Sequence, residues 1–152
     1  MLRKLLLVPA AVLCTVLPAQ DAAAKKEVEA FVKDALAFAK ANPRDAFIGE
    51  ICRPNGKFSQ KGTGRLYLTV YDDKGKVVAY GKKVAEVGSI QWDAKDQDGV
   101  LYIQDRIKLA KNKGGGWVED TKVNPATMQK SIKHVFVAYH DGMTICCGVY
   151  EK

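Results

Sequence analysis

The chain has 152 residues, with 24 lysines and arginines against 17 acidic residues, and a formal net charge of +7 at pH 7. After removal of a leader, this length suffices for one domain with a hydrophobic core and excludes two. The basic charge does not indicate nucleic-acid binding, because the lysines are scattered, the arginines are few and no nucleic-acid motif occurs.

The first residues have the composition of a secretory signal peptide. Arg3 and Lys4 precede an apolar run from Leu5 to Leu17, and small residues follow this run. A helix needs about 20 apolar residues to cross a bilayer, and this run is shorter. The pattern therefore predicts a periplasmic or secreted protein with no transmembrane segment in the mature chain.

The small residues after the apolar run offer two cleavage sites. Ala22 and Ala24 form an A-x-A site, and cleavage after Ala19 is the alternative. We take residues 1–24 as the signal peptide and residues 25–152 as a single domain.

The domain begins with two helical patterns. Residues 25–41 place apolar side chains at the spacing of one helix face. Asn42 and Pro43 end this helix, because a residue before proline is pushed out of the helical region. The same pair is expected to begin a short second helix, with Asn42 as its cap, that ends near Cys52.

The pattern then changes to the period of two that is typical of strands. Strands are predicted at Arg65–Tyr71, Val77–Gly81, Trp117–Val123, Ser131–His140 and Met143–Tyr150, with a helix at Val100–Asn112. The fold class is therefore α+β, with a long N-terminal helix and a second helix packed on an antiparallel sheet of about five strands.

The last hairpin defines two faces of the sheet. Asp141-Gly142 is a strong signal for a two-residue turn, which places Lys133 opposite Tyr150 and away from Phe136. One face is apolar enough to lie under the first helix. The other face mixes Lys133 and tyrosines with aliphatic residues, and Gly148 leaves space there. We take this mixed face as the candidate binding site.

Several short strings occur in the order and spacing of a known family. They are Leu66–Tyr71 with Asp73–Ala79, then Gly88, Lys95–Gly99, Gly116–Val118, Asn124-Pro125, Lys133 and Gly148–Tyr150. In these strings the chain resembles the single Cache domain, type 2, over residues 27–151. The resemblance implies a PAS-like extracytoplasmic sensor that binds small molecules, often short carboxylates, on the sheet face away from the first helix.

The resemblance also implies which residues line the pocket. Carried over by position, they are Tyr67, Tyr80, Trp117 and Lys133. The chain departs from the family at Asp120, where members commonly have an aromatic residue. If Asp120 neutralises Lys133, an amino acid or another zwitterion fits the pocket; if Asp120 points outward, a simple organic acid fits better.

Catalytic and metal sites are not expected. Cys146 and Cys147 are strand neighbours that point to opposite faces, so they do not pair with each other. In an oxidising compartment Cys52 is free to pair with one of them, and Cys147 is the preferred partner because it lies on the helix side. The aspartate-rich loop before residue 100 lacks a carboxylate at the first position of an EF-hand loop.

The sequence thus predicts an exported binding protein for a small polar ligand, with no cofactor, no nucleic-acid partner and no enzymatic activity. The chain carries no signalling domain of its own, so it is expected to act alone or through a membrane receptor. The alternative function is an interaction protein that docks on a membrane receptor or an envelope component and has a vestigial pocket.

Overall fold

A computed structural model describes residues 17–61 and 64–151. Its elements are α1 (Leu17–Ala41), α2 (Arg44–Cys52), β1 (Thr69–Asp72), β2 (Val77–Tyr80), a 3-10 turn (Val84–Glu86), α3 (Tyr102–Lys113), β3 (Gly115–Asn124), β4 (Gln129–His140) and β5 (Met143–Tyr150). The five strands form one antiparallel sheet in the order β2-β1-β5-β4-β3. The predicted α+β fold is confirmed.

Helix α1 begins earlier than the predicted helix over residues 25–41. It starts at Leu17 and includes the alanines that we assigned to the leader. Alanine is the strongest helix former, which explains why the helix continues across the predicted boundary. Ala24 is buried in the core together with Val28 and Val32. The basic residues and most of the apolar run of the predicted signal peptide lie outside the described residues.

The junction between α1 and α2 differs from the prediction in one detail. The side-chain amide of Asn42 donates a hydrogen bond to the carbonyl oxygen of Phe38, at 2.9 Å. Asn42 therefore stabilises the end of α1, and Pro43 stands at the N-cap of α2 without a side-chain cap.

The β4–β5 hairpin has the predicted register. Lys133 pairs with Tyr150, and Phe136 pairs with Cys147. Asp141 and Gly142 both have positive φ angles, of 47° and 71°, as a type I′ turn requires. The turn thus determines which side chains of the two longest central strands share a face.

Both faces of the sheet are covered. One face packs under α1 and α2, where Phe47, Ile51 and Phe58 are fully buried. The mixed face is covered by α3, whose Ile103 and Ile107 pack against Val135, Val137 and their neighbours. Helix α3 ends at Gly114 in the left-handed conformation, with φ at 77°. The mixed face is therefore the inner wall of a second core, below a helix.

Within residues 17–61 and 64–151, no helix combines the length and the hydropathy of a membrane span.

Candidate functional site

The centre of the mixed face is a lysine among tyrosines, which we call the Lys133 cluster: Lys133, Tyr67, Tyr80 and Tyr150. The ammonium of Lys133 donates a hydrogen bond to the hydroxyl oxygen of Tyr67, at 3.4 Å. It lies 5.6 Å from the Tyr67 ring centroid and 5.3 Å from that of Tyr150. The Tyr67 and Tyr80 rings are 5.8 Å apart. Three of the five predicted site residues are therefore together.

The side chain of Lys133 lies across Gly148. A Cβ atom on Gly148 would stand 3.1 Å from Lys133 Cε and 2.8 Å from Val135 Cγ2. The strand register explains this contact, since Gly148 pairs with Val135 on the face that also carries Lys133. The space predicted at Gly148 is thus occupied by the aliphatic part of the lysine.

The protein environment weakens proton binding by Lys133. Burial, followed by the positive charge of Arg106, lowers the pKa of Lys133 to about 8. Burial also raises the pKa of Tyr67, and it raises that of Tyr150 to about 12. At neutral pH the cluster therefore presents one partly desolvated cation beside neutral hydroxyl groups, which is a suitable arrangement for binding an anionic group.

Asp120 lies on the mixed face but is paired with a residue that the sequence analysis missed. Its Oδ1 atom accepts a hydrogen bond from Nη2 of Arg106 on α3, at 2.6 Å. The two side chains are only 1% and 6% exposed. Neither predicted arrangement of Asp120 is the one observed: it points inward, and its charge is balanced by Arg106. The spacing of Ile103, Arg106 and Ile107 could have predicted this contact, because it puts Arg106 on the same helix face as the two buried isoleucines.

The buried ion pair is not fully hydrogen-bonded. Arg106 Nε and Asp120 Oδ2 have no hydrogen-bond partner among the residues that the structure describes. The Arg106 guanidinium also lies 4.9 Å from the ring centroid of Tyr102. Arg106 and Asp120 join α3 to β3 directly behind the Lys133 cluster.

Trp117 is not part of this site. It pairs with Phe136 across the β3–β4 ladder, so it lies on the face of the sheet that packs under α1. Its ring is 5.1 Å from that of Phe136, and the Lys25 ammonium lies 5.8 Å from its centroid. The family resemblance placed Trp117 in the pocket. Because side chains alternate along β3, it lies instead on the opposite face of the sheet from Lys133.

All three cysteines in the described ranges are free thiols. Cys146 faces the second core and Cys147 the first, as their strand positions predicted. Burial raises the pKa of Cys146 to about 12 and that of Cys147 to about 11. The structure does not contain the bond between Cys52 and Cys147 that the sequence analysis preferred.

A cavity of about 1040 Å³ opens beside Tyr67 and Tyr150, two members of the Lys133 cluster. Tyr67, Gly148 and Tyr150 form part of its wall, and Lys82 and Arg65 also line it. Lys133, Tyr80, Arg106 and Asp120 are not in this wall, so the lysine and the ion pair lie behind Tyr67 and Tyr150 as seen from the cavity. Across residues 17–61 and 64–151, no group of three or more histidine, cysteine, aspartate or glutamate residues has the arrangement of a metal site.

The fold is similar to that of known chemosensory domains. A methyl-accepting chemotaxis protein from Vibrio parahaemolyticus has a TM-score of 0.68 and 20% identity, with 88% of this chain and 92% of that chain covered. A Cache chemosensory domain described for carboxylic acid recognition has a TM-score of 0.66 and 21% identity, with 89% and 98% covered. The periplasmic sensor domain of a chemotaxis protein has a TM-score of 0.58 and 19% identity, with 94% and 100% covered.

At these identities the solved structures support the fold alone. No curated protein matches the sequence. The model of one protein family does match, over residues 20–152, and this match covers nearly the whole chain. It agrees with the helices, the five-stranded sheet and the strings on which the resemblance was based. The chain belongs to the single Cache domain 2 family.

Proposed function

We propose that the protein is an exported sensory domain that binds a small organic acid at the Lys133 cluster. The observation that carries this proposal is the state of Lys133. Its ammonium is partly desolvated, and no carboxylate among the described residues is within ion-pair distance of it. Lys133 and Arg106 share one nearby anion, Asp120, and this excess of positive charge favours an anionic ligand. Tyr67 adds a hydroxyl group to the same binding position.

The pairing of Asp120 favours a plain carboxylate over a zwitterion. We considered an amino acid because Asp120 offered an anion for its ammonium. Arg106 balances that charge, so Lys133 is left as the cation of the site. The Cache chemosensory domain with 21% identity was described for carboxylic acid recognition, which supports the same ligand class. An amino acid that binds more tightly than the matching organic acid would contradict this choice.

We propose export with removal of the leader. The family match begins at residue 20, and Ala24 is part of the first core. Both observations favour cleavage after Ala19 over cleavage after Ala24, since the second would remove Ala24, which is buried in the first core. N-terminal sequencing of the exported protein tests this: Gln20 at the N-terminus supports the proposal, and Met1 contradicts it.

We propose that the protein binds its ligand without chemical conversion. The family consists of sensory domains, and the two strand cysteines have raised pKa values, so they are poor nucleophiles at neutral pH. A membrane receptor as signalling partner stays a prediction from the sequence.

A thermal-shift screen identifies the ligand. The purified protein is heated with organic acids, amines and amino acids, one at a time. A ligand at 100 times its Kd adds ~2.7 kcal/mol of stability, which is readily detected. The proposal predicts that small carboxylates raise the melting temperature and that amines of the same size do not. Stabilisation by amines alone would contradict it.

A further inference from the structure

Lys133 has the surroundings of a lysine that loses its proton easily. Its ammonium lies beside the rings of Tyr67 and Tyr150, at 5.6 and 5.3 Å from their centroids. Burial, followed by the positive charge of Arg106, lowers the pKa of Lys133 to about 8. A neutral lysine carries a free electron pair, and desolvated lysines near a second cation are those that proteins use as nucleophiles.

The charged and titratable groups around this lysine come from α3, β2, β3, β5 and the segment before β1. Those that act most strongly on its charge include two cations, Arg106 and Lys122, and one anion, Asp120, which is bound to Arg106 at 2.6 Å. The hydroxyl and thiol groups have raised pKa values and belong to Tyr67, Tyr80, Tyr150 and Cys147. These surroundings hold one positive charge in excess before Lys133 takes up a proton.

The nitrogen of Lys133 is accessible to a small molecule. Lys133, Tyr67 and Tyr150 are each half-buried, so the cluster is not sealed from solvent. The aliphatic part of the lysine lies against Gly148, where a side chain would crowd it. The hydroxyl oxygen of Tyr67 lies 3.4 Å from Lys133 Nζ. An amine and a hydroxyl donor therefore stand side by side, which is the pair of groups that addition to a carbonyl compound uses.

We propose that Lys133 captures small uncharged aldehydes as a reversible imine. The electron pair of the neutral Nζ attacks the carbonyl carbon, and the Tyr67 hydroxyl donates a hydrogen bond to the carbonyl oxygen. The two protons of the amine and the carbonyl oxygen then leave as water, and a carbon–nitrogen double bond forms. One amine and one aldehyde thus give one imine and one water, and no oxidant or reductant takes part.

The surroundings favour an aldehyde without charge. Tyrosine rings and the side chain of Val135 stand beside the lysine, and a neutral imine needs no counter-charge in such a place. This inference goes beyond the proposed function, which uses the protonated form of the same lysine. The two forms exclude each other, so a small carboxylate bound to the ammonium should slow the capture of an aldehyde.

The experiment traps the imine in the unmodified protein. Propanal and sodium cyanoborohydride are added at about pH 7, the hydride reduces each imine to a stable secondary amine, and peptide mass spectrometry locates the propyl groups. Lys108, which is exposed on α3, is the reference lysine in the same sample. We expect Lys133 to be modified at least tenfold faster, because a lysine with the ordinary pKa of about 10.4 is almost fully protonated at this pH.

The preference for Lys133 should shrink near pH 10, where ordinary lysines also lose their protons. Modification of Lys133 no faster than that of Lys108 would overturn the inference, and so would a preference that is as large at pH 10 as at pH 7. Propionate added to the same reaction tests the proposed function separately. If it slows the capture at Lys133 alone, both proposals are supported; if it has no effect, the proposed function fails and the inference stands.

Discussion

Lys133 Cε lies 3.1 Å from the point at which a Cβ atom on Gly148 would stand. The lysine therefore crosses the sheet over a residue without a side chain and reaches Tyr67, which is 66 positions away in the sequence. Any larger residue at position 148 would displace the lysine or the strand. The position of the ammonium is thus determined by a glycine on the neighbouring strand.

The first prediction concerns this glycine. In Gly148→Ala the new methyl group would stand 2.8 Å from both the carbonyl oxygen of His134 and Val135 Cγ2. We expect a loss of about 1–3 kcal/mol in the free energy of unfolding, together with weaker ligand binding. The control is Gly49→Ala, since a Cβ atom there meets nothing within 4 Å. Denaturant titration of both variants is the measurement; equal stability of the two would contradict the packing argument.

The second prediction concerns the buried ion pair. Asp120→Ala leaves the Arg106 guanidinium buried without a counter-charge, so we expect a loss of about 3–5 kcal/mol in the free energy of unfolding. Replacing both residues, as Arg106→Met with Asp120→Leu, removes both charges and should cost less than Asp120→Ala alone. Urea unfolding of the three proteins measures this. If the double variant is less stable than Asp120→Ala, the unpaired charge of Arg106 is not the cause of the loss of stability.

The third prediction concerns pH. A carboxylate binds the protonated form of Lys133, whose pKa is lowered to about 8. Affinity should be constant below this value and should fall as pH rises through it, by up to tenfold per unit. Burial raises the pKa values of Tyr67 and Tyr150, so neither hydroxyl group titrates near pH 8.

Calorimetry between pH 6 and pH 10 tests this prediction on the protein and on Lys133→Ala. The residual affinity of the variant should not change with pH, since the titrating group has been removed. An affinity of the unmodified protein that is the same at pH 7 and at pH 10 would contradict the prediction.

The fourth prediction concerns the thiols. Cys146 and Cys147 are 2% and 3% exposed and have raised pKa values, whereas Cys52 is partly exposed. A thiol-reactive label should therefore modify Cys52 first in the native protein. Peptide mapping by mass spectrometry locates the label. Rapid labelling of Cys147 would contradict its burial in the structure. If Cys52 is labelled only after reduction, a disulfide between Cys52 and Cys147 would be supported instead.

Local signals were enough to predict much of the site. The Asp141-Gly142 turn determines the β4–β5 register, because the two residues accept the positive φ angles of a tight turn. The register alone places Lys133 on the mixed face, opposite Tyr150. Tyr67 was assigned to the same place by family resemblance, and its hydrogen bond with Lys133 agrees with that assignment.

Other features depend on contacts that are distant in the sequence. The β3–β4 connection has no comparable turn signal, so the face of Trp117 was not determined, and the structure places it on the other side of the sheet from Lys133. The partner of Asp120 is Arg106 on α3. The sequence pattern within each helix or strand does not show which helix covers the mixed face, so this partner was not predicted. The start of α1 was missed because alanine is common both at signal-peptide cleavage sites and in helices, and the alanines before Lys25 were assigned to the leader.

The measurement that tests the account most directly is a calorimetric titration of the best small carboxylate into the unmodified protein and into Lys133→Ala. Loss of a charge-assisted hydrogen bond costs about 1.5–3 kcal/mol, so the variant should bind roughly ten- to a hundredfold more weakly. Lys108→Ala, on the exposed side of α3, is the control and should bind normally. Unchanged affinity in Lys133→Ala, with an unchanged melting temperature, would contradict the proposed site.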